Sequence, residues 1–164
     1  AITDFDGRPK PIQNPRLPIL VGGGGPRLLS LAAKEADIIS IFPTMLPAGG
    51  RFREDESLSS AFARKIEYIK SEAGARFAEI ELNVLTQAMI VTESRSDEIG
   101  SLSREWNIAP DDLSDSPQIL VGSVAEIAEH LLDVRANLGI TYFVIFGQYM
   151  EAFAPVLDLL KGVP

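Results

Sequence analysis

The chain has 164 residues, of which 46% are hydrophobic, and it carries a formal net charge of −8. This length and apolar content suit one folded domain and exclude wholesale disorder. The acidic balance disfavours general binding to nucleic acid or anionic membranes, and the absence of cysteine excludes disulfides, thiolate metal sites and cysteine nucleophiles.

Residues 1–16 contain three prolines and no helical or strand period, so we predict an extended connector within a single domain of residues 1–164. The first residues lack the basic segment and apolar core of a signal peptide, and no apolar run is long enough to span a membrane. We therefore expect a cytoplasmic protein that contacts neither nucleic acid nor a membrane.

The first structured unit combines a strand, a glycine run and a helix. Residues 17–21 are apolar and follow a turn signal, which is typical of a buried strand. Gly22–Gly25 come next, and a proline then stands at a first helical position, so we predict a helix over residues 26–36. Residues 37–42 form the second predicted strand, and a loop rich in proline and glycine follows over residues 43–55.

The middle of the chain continues the alternation of helix and strand. Helical spacing of apolar residues predicts a long helix over about residues 56–74, and residues 81–92 are predicted to form one strand. Residues 94–107 are polar with weak helical character. Residues 108–117 are predicted to be a solvated acidic loop, because their aspartates lack the glycine and distal glutamate of an EF-hand.

The C-terminal part carries the clearest helix start in the sequence. Ser123 and Glu126 have the spacing of a capping box, after a short apolar strand fragment at residues 119–122. The helix that they begin ends before a glycine, and residues 140–146 then form a strong buried strand. Residues 151–161 make the final predicted helix.

Continuous apolar strands that alternate with amphipathic helices predict an α/β protein built from parallel-sheet βα units. About four strands are visible, whereas a (β/α)8 barrel needs eight strands and about 250 residues. A doubly wound sheet of four or five strands also fits this length. The pattern therefore allows either a small open sheet or part of a barrel.

The glycine run has the most specific chemistry in the sequence. At Gly22–Gly25 a strand ends and a helix begins, an arrangement in which bare N–H groups and the helix N-terminus can bind a phosphate. No Gly-Lys-Ser/Thr follows as in a P-loop, and Arg27 stands where the G-x-G-x-x-G pattern needs its third glycine. A tight turn that holds no ligand explains the same residues.

Two stretches resemble the bacterial luciferase-like monooxygenase superfamily, and most closely its F420-dependent branch. The first is PRLPILVGGGGP at residues 15–26, followed by LAAKEAD at residues 31–37. The second is LVGS at residues 120–123 with EIAE at residues 126–129, followed by the Gly139-Ile140 start of a strong strand. The stretches stand in the same order as in that family.

The resemblance implies that the chain is the C-terminal portion of a (β/α)8 TIM barrel and supplies roughly its last four units. It implies an F420-dependent oxidoreductase that moves a hydride between a small organic substrate and the deazaflavin. By position, the cofactor's phosphate would contact the backbone of Gly22, Gly23, Gly24 and Gly25. The residues for acid–base work belong to the family's N-terminal half, so no catalytic residue can be named here.

Two alternatives remain open beside this hypothesis. One is an FMN-dependent monooxygenase of the same superfamily, since FMN also carries a phosphate. The other is a small α/β interaction module without catalysis, which would be a stable monomer that binds neither cofactor. A partial barrel would expose two open sheet edges and an apolar interior, so it predicts a homo-oligomer.

Other polar residues give weaker indications. His130 is the only histidine and is predicted to lie on the surface of its helix, and one histidine cannot form a multi-histidine metal site, so we expect no metal. Residues that follow predicted strands face the mouth of a barrel, where functional residues concentrate. The candidates for the wall of a pocket are Ser40, Phe42, Thr44, Gly147, Gln148 and Tyr149.

Overall fold

A computed structural model of the chain describes residues 6–14, 16–44, 56 and 58–163. Within these residues the strands are β1 (Leu20–Gly23), β2 (Ile38–Ile41), β3 (Glu81–Leu85), β4 (Ala88–Val91), β5 (Ile119–Gly122) and β6 (Ile140–Val144). The α-helices are α1 (Pro26–Glu35), α2 (Ser59–Ala73), α3 (Arg95–Trp106), α4 (Pro110–Ser114), α5 (Val124–Leu138) and α6 (Met150–Leu160). Short 3-10 helices cover Gly74–Glu79 and Gly147–Tyr149.

The main sheet has four parallel strands in the order β1-β2-β3-β6. Strands β4 and β5 form a separate parallel pair. A doubly wound sheet reverses its strand order at a switch point, whereas consecutive units of a (β/α)8 fold keep the chain order. The main sheet keeps the chain order, so the predicted α/β fold of parallel βα units is confirmed.

The two faces of the main sheet differ in how well they are covered. On one face Ile39, Ile41 and Val84 are fully buried against helices α1 and α2. On the other face Leu20 and Tyr142 remain 48% and 39% exposed. We call this less covered side the open face; Leu20 and Tyr142 at its two edges are exposed, whereas Ser40 and Asn83 between them are buried.

A row of register partners crosses the open face from β1 to β6. Gly22 pairs with Ser40, Ser40 with Asn83, and Asn83 with Tyr142. The Asn83 amide is 1% exposed; its oxygen accepts a hydrogen bond from the Ser40 hydroxyl, and its nitrogen donates to the Tyr142 carbonyl at 3.0 Å. The register between β3 and β6 shifts between Leu82 and Asn83. The Asn83 amide therefore connects β2, β3 and β6 at the point where the hydrogen-bond ladder between β3 and β6 is irregular.

The predicted strand over residues 81–92 is wrong as a single element. The chain breaks at Thr86 and Gln87, where the Thr86 N–H donates to the Val144 carbonyl of β6. The Gln87 N–H donates instead to the Gln118 carbonyl before β5, at 2.8 Å. The segment therefore changes its pairing partner from β6 to β5. The sequence gives no signal of this change, because β3 and β4 are both apolar.

The predicted loop over residues 108–117 is also wrong, because Pro110–Ser114 forms the short helix α4. Its first residue is a proline, which suits a first helical position, and Leu113 is fully buried. The capping box is confirmed: Glu126 N–H bonds the Ser123 hydroxyl, and the Glu126 carboxylate accepts from the Ser123 N–H. The predicted loop over residues 43–55 lies mostly outside the described residues.

Residues 6–14 and 16 form neither helix nor strand, but one contact joins this segment to the sheet. Arg16 forms an ion pair with Asp37, whose carboxylate also accepts the Ile19 N–H at 2.6 Å. The hydrogen bond from Arg16 and the one from Ile19 lower the pKa of Asp37. Ala36-Asp37 ends the first stretch that resembles the family. Its aspartate thus has a structural role, because it joins residues 16 and 19 to the start of β2.

We predict that Asn83→Ala lowers the free energy of unfolding by about 2–3 kcal/mol, because it leaves buried polar groups on two neighbouring strands unpaired. Ser40→Ala removes only one of the two hydrogen bonds and should cost about 1 kcal/mol. Urea denaturation followed by circular dichroism measures both variants. Equal losses would contradict a bridging role for the asparagine.

Candidate functional site

The glycine turn lies where β1 ends and α1 begins, beside the residues that follow β2. The Phe42 N–H donates to the Gly23 carbonyl at 3.0 Å, so the two strand exits are joined directly. Gly22 lies against the Phe42 ring, which is 3.1 Å from the place a Cβ on this glycine would occupy. In a parallel sheet this carboxyl end is the edge at which ligands are bound.

Gly24 is explained by packing. A Cβ on Gly24 would lie 2.3 Å from the Phe42 carbonyl oxygen and 2.9 Å from the Pro43 carbonyl carbon. Both are backbone atoms, so they cannot swing aside as the end of a side chain can. Gly24 is therefore required for the close approach of the two strand exits, whether or not a ligand binds.

Gly25 has no such explanation. No atom lies within 4 Å of the place its Cβ would occupy, and its φ of −88° and ψ of 151° suit any residue. It is the N-cap of α1: its carbonyl accepts the N–H groups of Leu28 and Leu29, at 3.2 and 3.0 Å. All four predicted glycines lie in the turn between β1 and α1, but Gly25 alone among them has empty space at its Cβ position, and this space lies at the N-terminus of α1. The Leu28 side chain occupies the corresponding space at Gly23, where a Cβ would lie 2.5 Å from one of its methyl groups.

A buried ion pair holds the exit of β2 against this turn. The Lys65 ammonium pairs with the Glu56 carboxylate and donates to the Phe42 carbonyl at 2.7 Å. The Thr44 hydroxyl lies 2.8 Å from the Glu56 carboxylate and 3.2 Å from the Gly24 carbonyl oxygen. The side chains of Lys65 and Glu56 are only 10% and 15% exposed. A cavity of about 140 Å³ lies beside them and is lined in part by Gly24 and Pro26.

The environment of Glu56 acts on its pKa in two directions. Burial alone raises the pKa, but hydrogen bonds from Lys65 and Thr44 outweigh burial, and the pKa lies below its ordinary value. Glu56 is therefore a charged anchor, whose Oε2 atom accepts bonds from the Lys65 ammonium and from the N–H and hydroxyl of Thr44. This ion pair was missed in the sequence, although one signal for it exists: Lys65 lies among the buried positions Ala61, Phe62, Ile66 and Ile69 of α2.

The predicted pocket-wall residues fall into two groups. Ser40, Phe42 and Thr44 follow or end β2 and lie beside the glycine turn, with Ser40 bonded to Asn83 in the cross-strand row. The other three follow β6, at the opposite edge of the main sheet from β1. Of these, the Gly147 and Gln148 positions are exposed, and Tyr149 packs against the cluster of α5 and α6.

The predicted surface position of His130 is only partly right. Its ring is partly buried, and its Nε2 atom lies 3.0 Å from the Ser116 carbonyl oxygen. Burial lowers the pKa of His130, although the bond to Ser116 acts in the opposite direction. No group of three or more metal-ligating side chains within the described ranges could hold a metal ion. None of the helices described is both long enough and apolar enough to cross a membrane.

Comparisons with known proteins bear on the fold. No family model matches the sequence, and no curated protein matches it. Among solved structures, the chain is similar to the crystal structure of long-chain alkane monooxygenase (LadA), with a TM-score of 0.56 and 13% identity. The likeness covers 87% of this chain and 40% of that chain, so this chain spans less than half of that protein's length. It shows a shared α/β fold.

We predict very different effects of adding a methyl group at the neighbouring positions Gly24 and Gly25. Gly24→Ala should lower the free energy of unfolding by about 3 kcal/mol, because the new Cβ overlaps backbone that the Lys65 ion pair holds in place. Gly25→Ala should change it by less than about 1 kcal/mol, because the new Cβ meets no atom and only the modest N-cap preference for glycine over alanine is lost. Urea denaturation of both variants measures the difference, and a similar loss at the two positions would refute this assignment.

We predict that Glu56→Gln lowers the free energy of unfolding at pH 7 by about 2 kcal/mol, since it leaves the buried Lys65 charge unpaired. The folded-state pKa of Glu56 is depressed, so its stabilisation is present above the ordinary value of 4.5 and is lost as pH falls through the folded pKa. The difference between wild type and variant should therefore shrink below pH 4.5.

A matched control for this prediction is Glu67→Gln, which breaks the exposed pair between Glu67 and Lys70. That pair should contribute less than about 0.5 kcal/mol at any pH. Denaturant titrations from pH 3 to pH 8 measure all three proteins. A constant difference across this range would show that the Glu56 charge does not carry the stabilisation.

Proposed function

We propose that the chain is part of a luciferase-like oxidoreductase and that its glycine turn holds the phosphate of a flavin or deazaflavin cofactor. The observation that carries the proposal is the free space at Gly25, at the N-terminus of α1 and the carboxyl edge of the main sheet. A helix N-terminus favours negative charge, because its first N–H groups have no partner within the helix. The likeness to a monooxygenase structure supports the same class.

The residues around the turn suit a phosphate. Gly25 and the first turn of α1 would approach the phosphate oxygens through the backbone, where a larger side chain at residue 25 would fill the space. Arg27 is exposed in that first turn and makes no hydrogen bond or ion pair with another residue of the described ranges, so its charge is available. Gly24 and the Lys65–Glu56 pair would keep the turn in place.

The bound cofactor would supply the redox chemistry by accepting or donating a hydride. This chain's own part would be to hold the phosphate and to form one wall of the space at the carboxyl edge. Phe42 and Tyr142 lie on the open face of the main sheet and offer an apolar surface to a ring or to a small organic substrate. No described residue is assigned to proton transfer.

The sequence resemblance favours F420, whereas the monooxygenase likeness favours FMN, because reduced flavins react with oxygen. Both cofactors carry a phosphate that the turn would hold. The rival hypothesis is an interaction module without catalysis, in which the glycine run binds no cofactor.

We predict that the purified chain binds FMN or F420 and that Gly25→Leu weakens the binding at least about 10-fold, which is about 1.4 kcal/mol. The physical reason is that the leucine side chain occupies the space proposed for the phosphate. Fluorescence titration with each cofactor separately measures the dissociation constants, and the tighter ligand identifies the branch.

Gly100→Leu is the matched control, since its Cβ would meet only the end of the Arg104 side chain on α3. This variant should bind the cofactor like the wild type, and circular dichroism should show both variants folded. Riboflavin, which has the flavin ring without the phosphate, should bind more weakly than FMN. Absence of binding by either cofactor, or equal binding by Gly25→Leu, would overturn the proposal.

A further inference from the structure

Strands β4 and β5, together with helices α3 and α4, form a small unit that we call the β4–β5 unit. Among the described strands, β4 and β5 pair with each other and with no strand of the main sheet. The strands and the two helices share an apolar cluster that is distinct from the cluster of the main sheet. Its buried members are Ala88, Ile99, Leu102, Leu113, Ile119 and Val121. A unit with a small cluster of its own can open while the rest of the fold stays closed.

Ser116 holds the start of this unit. It lies between α4 and β5 and is fully buried. Its carbonyl oxygen accepts the Ile119 N–H, and its own N–H donates to the Leu113 carbonyl, both at 3.2 Å. The Gln118 N–H lies 3.4 Å from the Ser116 hydroxyl oxygen, and the Gln118 carbonyl accepts the Gln87 N–H just before β4. The position of Ser116 therefore fixes where β4 and β5 begin.

The His130 ring of α5 contacts the same carbonyl of Ser116, with its Nε2 atom 3.0 Å from the oxygen. A carbonyl oxygen can only accept a hydrogen bond, so Nε2 carries the hydrogen and Nδ1 is the ring nitrogen that takes up a proton. The ring is partly buried, and burial lowers the pKa of His130 from its ordinary value of 6.5. Proton uptake therefore places a charge in surroundings that favour the neutral ring.

Charged groups face the ring from α3, from the turn after α4 and from α5 itself. Arg95 of α3 opposes protonation, and its guanidinium is held in place because it donates to backbone carbonyls in β5 and α4, at 2.9 and 3.4 Å. Asp115 and Asp133 favour protonation, as does the bond to Ser116. Both aspartates are exposed and therefore screened by solvent, and burial outweighs them. Proton uptake therefore shifts the ring from its place against Ser116 toward water.

We propose that proton uptake by His130 releases its contact with Ser116 and opens the β4–β5 unit in mildly acidic solution. The ring moves toward solvent, the turn at Ser116 loses its partner on α5, and the hydrogen bonds that begin β4 and β5 break. The four strands of the main sheet keep their own ladder. The contact between His130 and Ser116 is thus a pH-sensitive latch, and it uses no residue of the glycine turn.

The direction of the pH effect follows from the two states of the ring. In the closed state the pKa of His130 lies below 6.5, and in the open state the ring has its ordinary value. The open state therefore binds more protons, so the free energy of opening falls as pH drops below 6.5 and levels off once the closed state is also protonated. The depressed pKa values of Glu56 and Glu126 lie below 4.5, so these carboxylates stay charged at pH 5.5.

Proton NMR measures the closed-state pKa directly, because His130 is the only histidine in the chain and its ring signals are therefore unambiguous. We expect the ring to titrate below 6.5 in the folded wild-type protein. A titration at or above 6.5 would overturn the proposal, since proton uptake would then not favour the open state.

Amide hydrogen exchange tests the opening itself. The informative amides are those of Gln87 and Ile119, which donate to the Gln118 and Ser116 carbonyls. After correction for intrinsic exchange, their protection should fall at least about 3-fold between pH 7.5 and pH 5.5, as expected for the uptake of one proton. At pH 5.5 their protection should also be at least about 10-fold lower than that of amides in β2 and β3, because the β4–β5 unit opens separately.

His130→Gln is the matched variant, because its amide can still donate to the Ser116 carbonyl but takes up no proton in this range. Its protection at Gln87 and Ile119 should be the same at both pH values, and circular dichroism should show the variant folded. An equal fall of protection in wild type and variant would show that His130 is not the latch. Equal protection of the β4–β5 unit and the main sheet in the wild type at pH 5.5 would show that the unit does not open separately, and would also overturn the proposal.

Discussion

The arrangement of the main sheet depends on the Asn83 amide. This side chain accepts from Ser40 on β2 and donates to the Tyr142 carbonyl on β6, at the point where the β3–β6 register shifts. A shifted ladder leaves a strand carbonyl without its usual N–H partner, and a buried carbonyl needs another donor. The amide supplies that donor and keeps β6, with α5 and α6, in line with the first two βα units. The candidate site follows from this, because the carboxyl ends of the four strands of the main sheet then meet at one edge.

At that edge the glycines divide into two kinds. Gly24 serves the packing of two strand exits, which the buried Lys65–Glu56 pair holds together through the Phe42 carbonyl and Thr44. Gly25 serves no packing contact and leaves the N-terminus of α1 open. A rigid turn with one open position is what a phosphate site requires, since the N–H groups are then oriented before the ligand arrives. The structural glycine and the ion pair thus support the proposed role of the free glycine.

The open face of the main sheet bears on the proposed cofactor site. The open face of the main sheet leaves Leu20 and Tyr142 partly exposed, while Ser40 and Asn83 between them are buried. Something must cover this face if the carboxyl edge is to enclose a cofactor away from solvent.

The sequence determined the elements whose signals are local. The capping box at Ser123, the glycine turn after β1 and the alternation of apolar strands with amphipathic helices all depend on neighbouring residues, and the α/β fold followed from them. Only the tertiary structure decided that the apolar run over residues 81–92 is two strands, because the change of partner at Thr86 depends on β5 and β6. It also decided which glycine is structural, since the backbone that touches Gly24 comes from residues about twenty positions away. Contacts between distant segments leave no period in the sequence, and for that reason the roles of Lys65, Glu56 and Asn83 appeared only in the folded chain.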